Sequence, residues 1–259
     1  MCDHLAARWG FGDFRKSIDA RSTQGRVGSG RVGGEGRPEE IDPLEWIRGE
    51  VVQLPLVGER FGAVEINASF YRLPTAATLT SWATDVPADF SFAFKSPQRI
   101  THFQRLKDSG ESVAEFVRVA ATLKERLGPL LFGLPPNMKK DVGRLRAFLE
   151  LLPRKGVAAA FEFRHASWFD NEVFDALRVR NAALCIADDD NDLEVPFEAT
   201  ANWGYLRLRR AKYTVPQLRK WAERIQKQDW REAFVFFKHE ETGTGPRLAK
   251  SLAEITGSW

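Results

Sequence analysis

From Phe61 onward, short apolar runs rich in β-branched and aromatic residues alternate with segments of helical period. The runs are Ala63-Val-Glu-Ile-Asn, Phe90-Ser-Phe-Ala-Phe-Lys, Leu130-Leu-Phe-Gly-Leu, Val157-Ala-Ala-Ala-Phe-Glu-Phe-Arg, Ala183-Leu-Cys-Ile-Ala-Asp, Gly204-Tyr-Leu-Arg-Leu-Arg and Phe234-Val-Phe-Phe-Lys. Near-continuous hydrophobicity of this kind marks strands buried on both faces. Between them, Val113, Phe116, Val117, Ala120, Leu123 and Leu127 form one helical stripe, and Val142, Leu145, Phe148, Leu149 and Leu152 another. Leu218, Trp221, Ala222 and Ile225 make a third. A short helix follows Pro74, with Thr75 as its cap, and the last opens at Pro246, a residue suited to the first helical turn.

Strand and helix in alternation require parallel pairing through crossover helices. Seven legible strands in this span predict an α/β fold of the TIM (β/α)8 type with an atypical or missing first strand. An open doubly wound sheet is the competitor, but no glycine-rich dinucleotide fingerprint follows the first legible strand. The missing strand has to come from residues 1–60, where Ala7-Arg-Trp-Gly-Phe and Glu50-Val-Val-Gln-Leu are the candidates. That segment, residues 1–60, is read as an atypical N-terminal piece ahead of a barrel domain at 61–259. Its stretch 21–37 holds six glycines and four arginines with almost nothing apolar, and is expected to be flexible.

The 259 residues are 43% hydrophobic and 28% charged, an ordinary globular composition. No run approaches the length of a membrane span, and Met1-Cys2-Asp3-His4 has neither the basic start nor the apolar stretch of a signal peptide. Two cysteines, Cys2 and Cys185, argue against a disulfide scaffold, so the expected compartment is the cytoplasm. Net charge is only +3, too balanced to indicate a nucleic-acid partner by itself. Between Gly204 and Arg231, however, nine basic residues face two acidic ones, a local excess that reads as a solvated face or as a phosphate-attracting patch.

Strand C-termini form the chemical face of such barrels. Glu65 and Asn67 end one strand, followed by Tyr71; Lys95 ends the next, with His102 close behind. Glu162, Arg164 and His165 end another, with Trp168 after them, and Asp188 ends the sixth. Tyr205 and Arg207 come from the seventh, and Lys238 and His239 end the eighth. By alternation Glu65 pairs with Asn67 and Glu162 with Arg164 on the inward face, with His165 opposite. Gly243 and Gly245, ahead of the last helix, are placed where barrels bind phosphate with backbone amides.

Three readings fit these residues. In the first, Glu65, Glu162 and Asp188 with His102, His165 or His239 hold a divalent metal such as zinc, manganese or magnesium. In the second, Glu65 or Glu162 is a general base and Lys95 or Arg164 an anion clamp. In the third, Glu65, Lys95, Glu162 and Arg164 form an ionic network that only closes the barrel top. The partner expected is a phosphate-bearing small molecule or nucleic acid, with no membrane.

Several segments together resemble the YecE-like proteins, the domain-of-unknown-function family 72 (DUF72). They are Val64-Glu-Ile-Asn-Ala-Ser-Phe-Tyr-Arg-Leu-Pro74, Phe92-Ala-Phe-Lys-Ser-Pro97 with Thr101-His102, Leu127-Gly-Pro-Leu-Leu-Phe-Gly-Leu-Pro-Pro136, Phe161-Glu-Phe-Arg-His-Ala-Ser-Trp168 and Leu184-Cys-Ile-Ala-Asp188. The resemblance covers residues 61–255 and implies a TIM-like fold without an established activity. It implies that Glu65, Asn67, Lys95, His102, Glu162, Arg164, His165 and Asp188 occupy signature positions, and assigns them no catalytic role. Gly133 departs from the glutamine usual there, Phe237-Lys-His-Glu240 from the usual asparagine-rich ending, and residues 1–60 lack the usual glycine-serine-glycine-tryptophan first strand. The expected activity is turnover of a phosphate-bearing or sugar-like ligand at the C-terminal face, in its most concrete form metal-assisted phosphodiester hydrolysis. The alternatives are a non-enzymatic nucleic-acid-binding barrel and a sugar-phosphate isomerase.

Overall fold

Eight strands close a barrel, and seven of them are the runs read from hydrophobicity. The structure, a computed structural model, describes residues 4–10 (backbone only), 54–238 and 244–257. In chain order the elements are β1 (His4–Gly10), α1 (Leu54–Gly58), β2 (Ala63–Ile66), α2 (Ala76–Thr84), β3 (Ser91–Lys95), α3 (Gly110–Ala120), β4 (Leu127–Gly133), α4 (Val142–Leu151), β5 (Ala159–Glu162), α5 (Asn171–Val179), β6 (Ala183–Asp188), β7 (Gly204–Leu208), α6 (Val215–Gln226), β8 (Glu232–Lys238) and α7 (Thr244–Thr256). Strands β2 to β8 pair in parallel, each with the next.

The first strand is present, and it runs the other way. β1 lies antiparallel to both β8 and β2, so its first residue, His4, is in register with Glu65 and Lys238 at the end where the other strands finish. An antiparallel partner satisfies the open edges of β2 and β8 as well as a parallel one does, and it needs no crossover helix ahead of it. The barrel thus recruits residues 4–10 from the segment set apart as an N-terminal piece. Of the two candidates, Ala7-Arg-Trp-Gly supplies the strand; Leu54, the end of the other, opens α1, and residues 50–53 lie outside the described residues, as does the glycine-arginine stretch.

Caps fix the helix starts. Thr75 accepts from the Thr78 backbone N–H, Asp141 from Arg144, and Thr214 forms a reciprocal capping box with Gln217. The α3 stripe stops earlier than its period suggests. After Ala120 the chain tightens into a 3-10 turn, Lys124 takes a positive φ of 52°, and Leu127 opens β4 instead of ending the helix. Helix α5, whose apolar Val173, Phe174 and Leu177 are buried beneath the Asp170 cap, was not foreseen. Helix α7 begins two residues before Pro246.

Two apolar layers result. Inside the barrel Ala63, Ala93, Leu131, Ala160, Cys185, Trp203, Tyr205, Phe234 and Phe236 pack together. Small residues from β2, β3 and β5 face aromatic ones from β7 and β8, so the interior is filled. Outside, Phe94, Phe132, Phe148, Phe161, Phe163 and Trp168 belong to the larger core between sheet and helices. Inward alternation then continues past the apolar layer to Glu65, Lys95, Gly133, Glu162 and Arg207. Among the described residues no helix is long and apolar enough to cross a membrane.

Candidate functional site

At the C-terminal mouth the inward positions carry charge, and one arginine organises it. Arg207 is 2% exposed; its Nη2 donates to Glu65 Oε1 at 2.8 Å and its Nη1 to Glu162 Oε2 at 2.8 Å. Glu65 also accepts from the Tyr205 hydroxyl at 2.5 Å and from Asn67 Nδ2 at 3.0 Å. Glu162 accepts further from Arg209 Nη2 at 2.7 Å and Arg164 Nη2 at 3.2 Å, and Arg209 reaches on to Asp189. Burial alone would raise the Glu162 pKa. Arg207, Arg164, Arg209 and Lys95 outweigh it and hold this carboxyl far below the usual carboxylate range. Burial and the Glu65 charge push the Tyr205 hydroxyl up, so it stays protonated and donates.

Lys95 stands apart from this lattice. Its ammonium lies 4.2 Å from the centroid of the Phe70 ring and makes no hydrogen bond or ion pair among the described residues. Burial, followed by the neighbouring Arg207, lowers its pKa to about 8; Arg164 adds to this, against the opposing pull of Glu162 and Glu65. The Phe70 ring also meets His102 edge-on at 4.9 Å and the 77% exposed Tyr71 at 5.0 Å. His102 sits in a π-turn, Arg99–Phe103, with its Nδ1 2.9 Å from Thr101 Oγ1. Burial, then Lys95, Arg164 and Arg105, lower its pKa, so the imidazole is neutral at pH 7.

Gly133 matters here because it leaves space. A Cβ on it would lie 3.1 Å from Glu162 Oε2 and 3.9 Å from Lys95 Cε. The missing side chain on β4 therefore lets the Glu162 carboxylate and the Lys95 stem lie close against the strand backbone.

Not every expected residue joins the mouth. Glu65, Asn67, Lys95, Glu162, Arg164, Tyr205 and Arg207 converge; Tyr205 is engaged beneath the surface, and the equally buried Arg207 keeps one donor, its Nε–H, without a partner among the described residues. Asp188 is tied at the rim to Arg210 at 2.7 Å and to the Tyr213 hydroxyl at 2.8 Å, and is not bonded to the two glutamates. Trp168, read as a ligand contact, is instead sealed in the outer core. It stacks on Phe163 at 4.7 Å and donates from Nε1 to the Met138 carbonyl at 2.7 Å. His165 faces away from Glu162 and caps the turn Ala166–Trp168 by accepting from the Ser167 N–H. Lys238 is exposed at the rim, on the same strand face as Phe234 and Phe236. Gly245 lies in the first turn of α7, while His239 and Gly243 fall outside the described residues.

These placements bear on the metal reading. Among the described residues no three His, Cys, Asp or Glu side chains form a group that could hold an ion. The oxygens of Glu65 and Glu162 already accept from guanidinium, amide and phenol donors, so this donor set does not fit a divalent cation.

Arg209, Asp189 and Phe70 stand at strand ends in the sequence, but no site role is assigned to them from it. The first was legible, because Tyr205, Arg207 and Arg209 share a face by alternation. Nothing in the sequence announced that β1 brings His4 to this end.

A family model described as "Protein of unknown function DUF72" matches residues 48–258. The chain belongs to the DUF72 family. A DUF72 relative, the UPF0759 protein YecE of Escherichia coli K12, is 30% identical over 135 residues, a match covering 52% of this chain and about half, 49%, of YecE. The UPF0759 protein YunF of Bacillus subtilis is 24% identical over 244 residues, covering 78% of this chain and 86% of YunF. Among solved structures, a DUF72 protein of Enterococcus faecalis superposes with a TM-score of 0.69 at 18% identity, covering 82% of this chain and 91% of that one. One from Thermotoga maritima gives 0.66 at 25% identity, covering 75% and 84%. The barrel is therefore shared with these proteins, whose names assign them no activity.

Proposed function

We propose that the mouth binds a small ligand through a phosphate or similar anionic group, and that the protein is an enzyme acting on it. The supporting observation is an imbalance of charge. Lys95, Arg164, Arg207 and Arg209 face only Glu65, Glu162 and Asp189, and the Lys95 ammonium is left without a counter-charge. The Nε–H groups of Arg164, Arg207 and Arg209 likewise lack a hydrogen-bond partner among the described residues. A low-dielectric mouth with a surplus of donors and one net positive charge suits an anion.

The other chemistries draw less support. A divalent metal finds no suitable donor set, so metal-assisted phosphodiester hydrolysis has no ligands among the described residues. Glu162 is held ionised so firmly that it is a poor proton-abstracting base for an isomerase. For nucleic acid, four of the nine basic residues between 204 and 231 are engaged elsewhere: Arg207 and Arg209 inside the mouth, Arg210 on Asp188, Arg224 over Phe197 and Trp221.

Thermal unfolding with inorganic phosphate, a sugar phosphate and the matching neutral sugar tests the proposal. The phosphate compounds should raise Tm and the neutral sugar should not, and Arg164→Met should abolish the shift while remaining folded. Equal stabilisation by the neutral sugar, or a shift that survives in Arg164→Met, overturns it.

A further inference from the structure

We infer that the Lys95 side chain is a nucleophile that forms an imine with the carbonyl carbon of an aldehyde or ketone bearing a phosphate or carboxylate group, a chemistry that rests on the anion-binding reading above. Lys95 is the last residue of β3, on the inward face with Ala93. Its backbone is held beside Ser69, whose single hydroxyl proton is shared between the Lys95 carbonyl at 2.6 Å and the Ile66 carbonyl at 2.7 Å. The root of the side chain is therefore held, its Cε passes the bare backbone of Gly133, and its terminal nitrogen lies over the Phe70 ring.

On balance the groups packed around this nitrogen favour a neutral amine, although Glu162 and Glu65 oppose it. Glu65 on β2 and Glu162 on β5 are within electrostatic reach, but both are neutralised by Arg207 on β7, and Glu162 also by Arg164 and Arg209. The Phe70 ring covers one side, and on it rests the uncharged His102. A lysine that only clamped an anion would gain from keeping its proton, and three arginines already serve that purpose. With a pKa of about 8, roughly a tenth of the amine is free at pH 7, against fewer than about one in a thousand for an ordinary lysine.

The step balances without any further reactant. The Lys95 nitrogen lone pair attacks the carbonyl carbon, and the C=O π pair moves to oxygen, which takes up a proton. The nitrogen then releases a proton, the hydroxyl takes up a second proton and leaves as water, and loss of the remaining N–H proton from the iminium leaves a neutral C=N bond. His102, neutral and on the same aromatic ring, is the described group best placed to carry these protons, while Arg164 and the unpaired donors hold the anionic group.

The test is reductive trapping. The full chain is incubated with dihydroxyacetone phosphate, with pyruvate or with acetone in the presence of cyanoborohydride, then examined by intact mass and peptide mapping. One adduct per chain is expected, on the peptide containing Lys95, formed at least tenfold faster from the anionic carbonyls than from acetone. Trapping should rise with pH to a plateau above about 8. Lys95→Arg and Lys95→Met, each checked for folding by circular dichroism, should give none, and His102→Gln should slow trapping and shift its pH profile. Adducts spread over many lysines, an unchanged yield in both Lys95 variants, or no adduct at all overturns the imine. Failure of the two readings is separable: a phosphate-induced Tm rise without trapping leaves only anion binding, and trapping at Lys95 equally fast with acetone leaves only the amine.

Discussion

Arg207 Nη2 lies 2.8 Å from Glu65 Oε1, joining strands β7 and β2 that have β8 and β1 between them in the sheet. The same guanidinium holds Glu162 on β5, so one side chain ties together three walls of the barrel interior. Both carboxylates are almost wholly out of water, a position tolerable only with such partners.

Removing that partner should be severe. Arg207→Met leaves two buried carboxylates uncompensated and is expected to cost about 3–5 kcal/mol, the usual penalty for breaking one member of a buried pair. Urea unfolding at pH 7 reads this directly. A loss below about 1 kcal/mol would mean that Tyr205, Asn67 and Arg209 suffice.

Acid should weaken the protein through Glu162. Its folded pKa is depressed, so the stabilisation is present above the unfolded value, about 4.3, and is lost as pH falls toward the folded one. Glu162→Gln is therefore expected to be less stable than the native chain at pH 7, with the gap closing below about pH 4. Unfolding series at pH 7, 5 and 3 check this, and a gap independent of pH would count against it.

Lys95 has the opposite sign. Its folded pKa of about 8 lies below the unfolded value, about 10.4, so the unfolded chain holds more protons between them and stability rises with pH over that window. Lys95→Met should therefore stabilise the protein at pH 7, on the order of 1 kcal/mol after discounting for its partial exposure, and less at pH 9.5. Urea midpoints at the two pH values decide it; a variant destabilised equally at both would refute the assignment.

The barrel was legible in the sequence because parallel strands are buried on both faces, and runs such as Phe90–Lys95 and Ala183–Asp188 announce that burial. The antiparallel β1 was not. Pairing is a backbone property, and His4–Gly10 carries no mark of the direction in which it will lie. Within the mouth, alternation placed Glu65 and Glu162 inward, yet it could not say which cation each would meet. Arg207 and Arg209 read equally as strand-end residues of the mouth and as members of a basic run, and the fold turned them inside. Trp168 failed as a ligand contact for a related reason: an aromatic just past a strand end can face either the opening or the helix layer, and Met138 supplies its carbonyl from the latter.

Trp168→Phe separates these two roles. Losing the indole hydrogen bond and part of the stack on Phe163 should lower stability by about 1–2 kcal/mol without changing a phosphate-induced Tm shift. A variant of normal stability with impaired ligand response would return Trp168 to the site.

Gly133→Ala probes that bare stretch of β4. The new methyl meets a carboxylate oxygen fixed by Arg207 and Arg164, so about 1–2 kcal/mol of stability should be lost together with most trapping at Lys95. Unimpaired trapping in a folded variant would show that ligands approach the amine from elsewhere.

β1 meets β8 along seven register positions but meets β2 along only three. Such a closure behaves like a door, hinged on β8 and latched on β2. Thermal fluctuations should release this latch before the hinge, so amide hydrogens across the β1–β2 seam are expected to exchange ahead of those across β1–β8. The latch ends at Glu65, so a short join of the ring abuts a carboxylate tethered by Tyr205, Asn67 and Arg207.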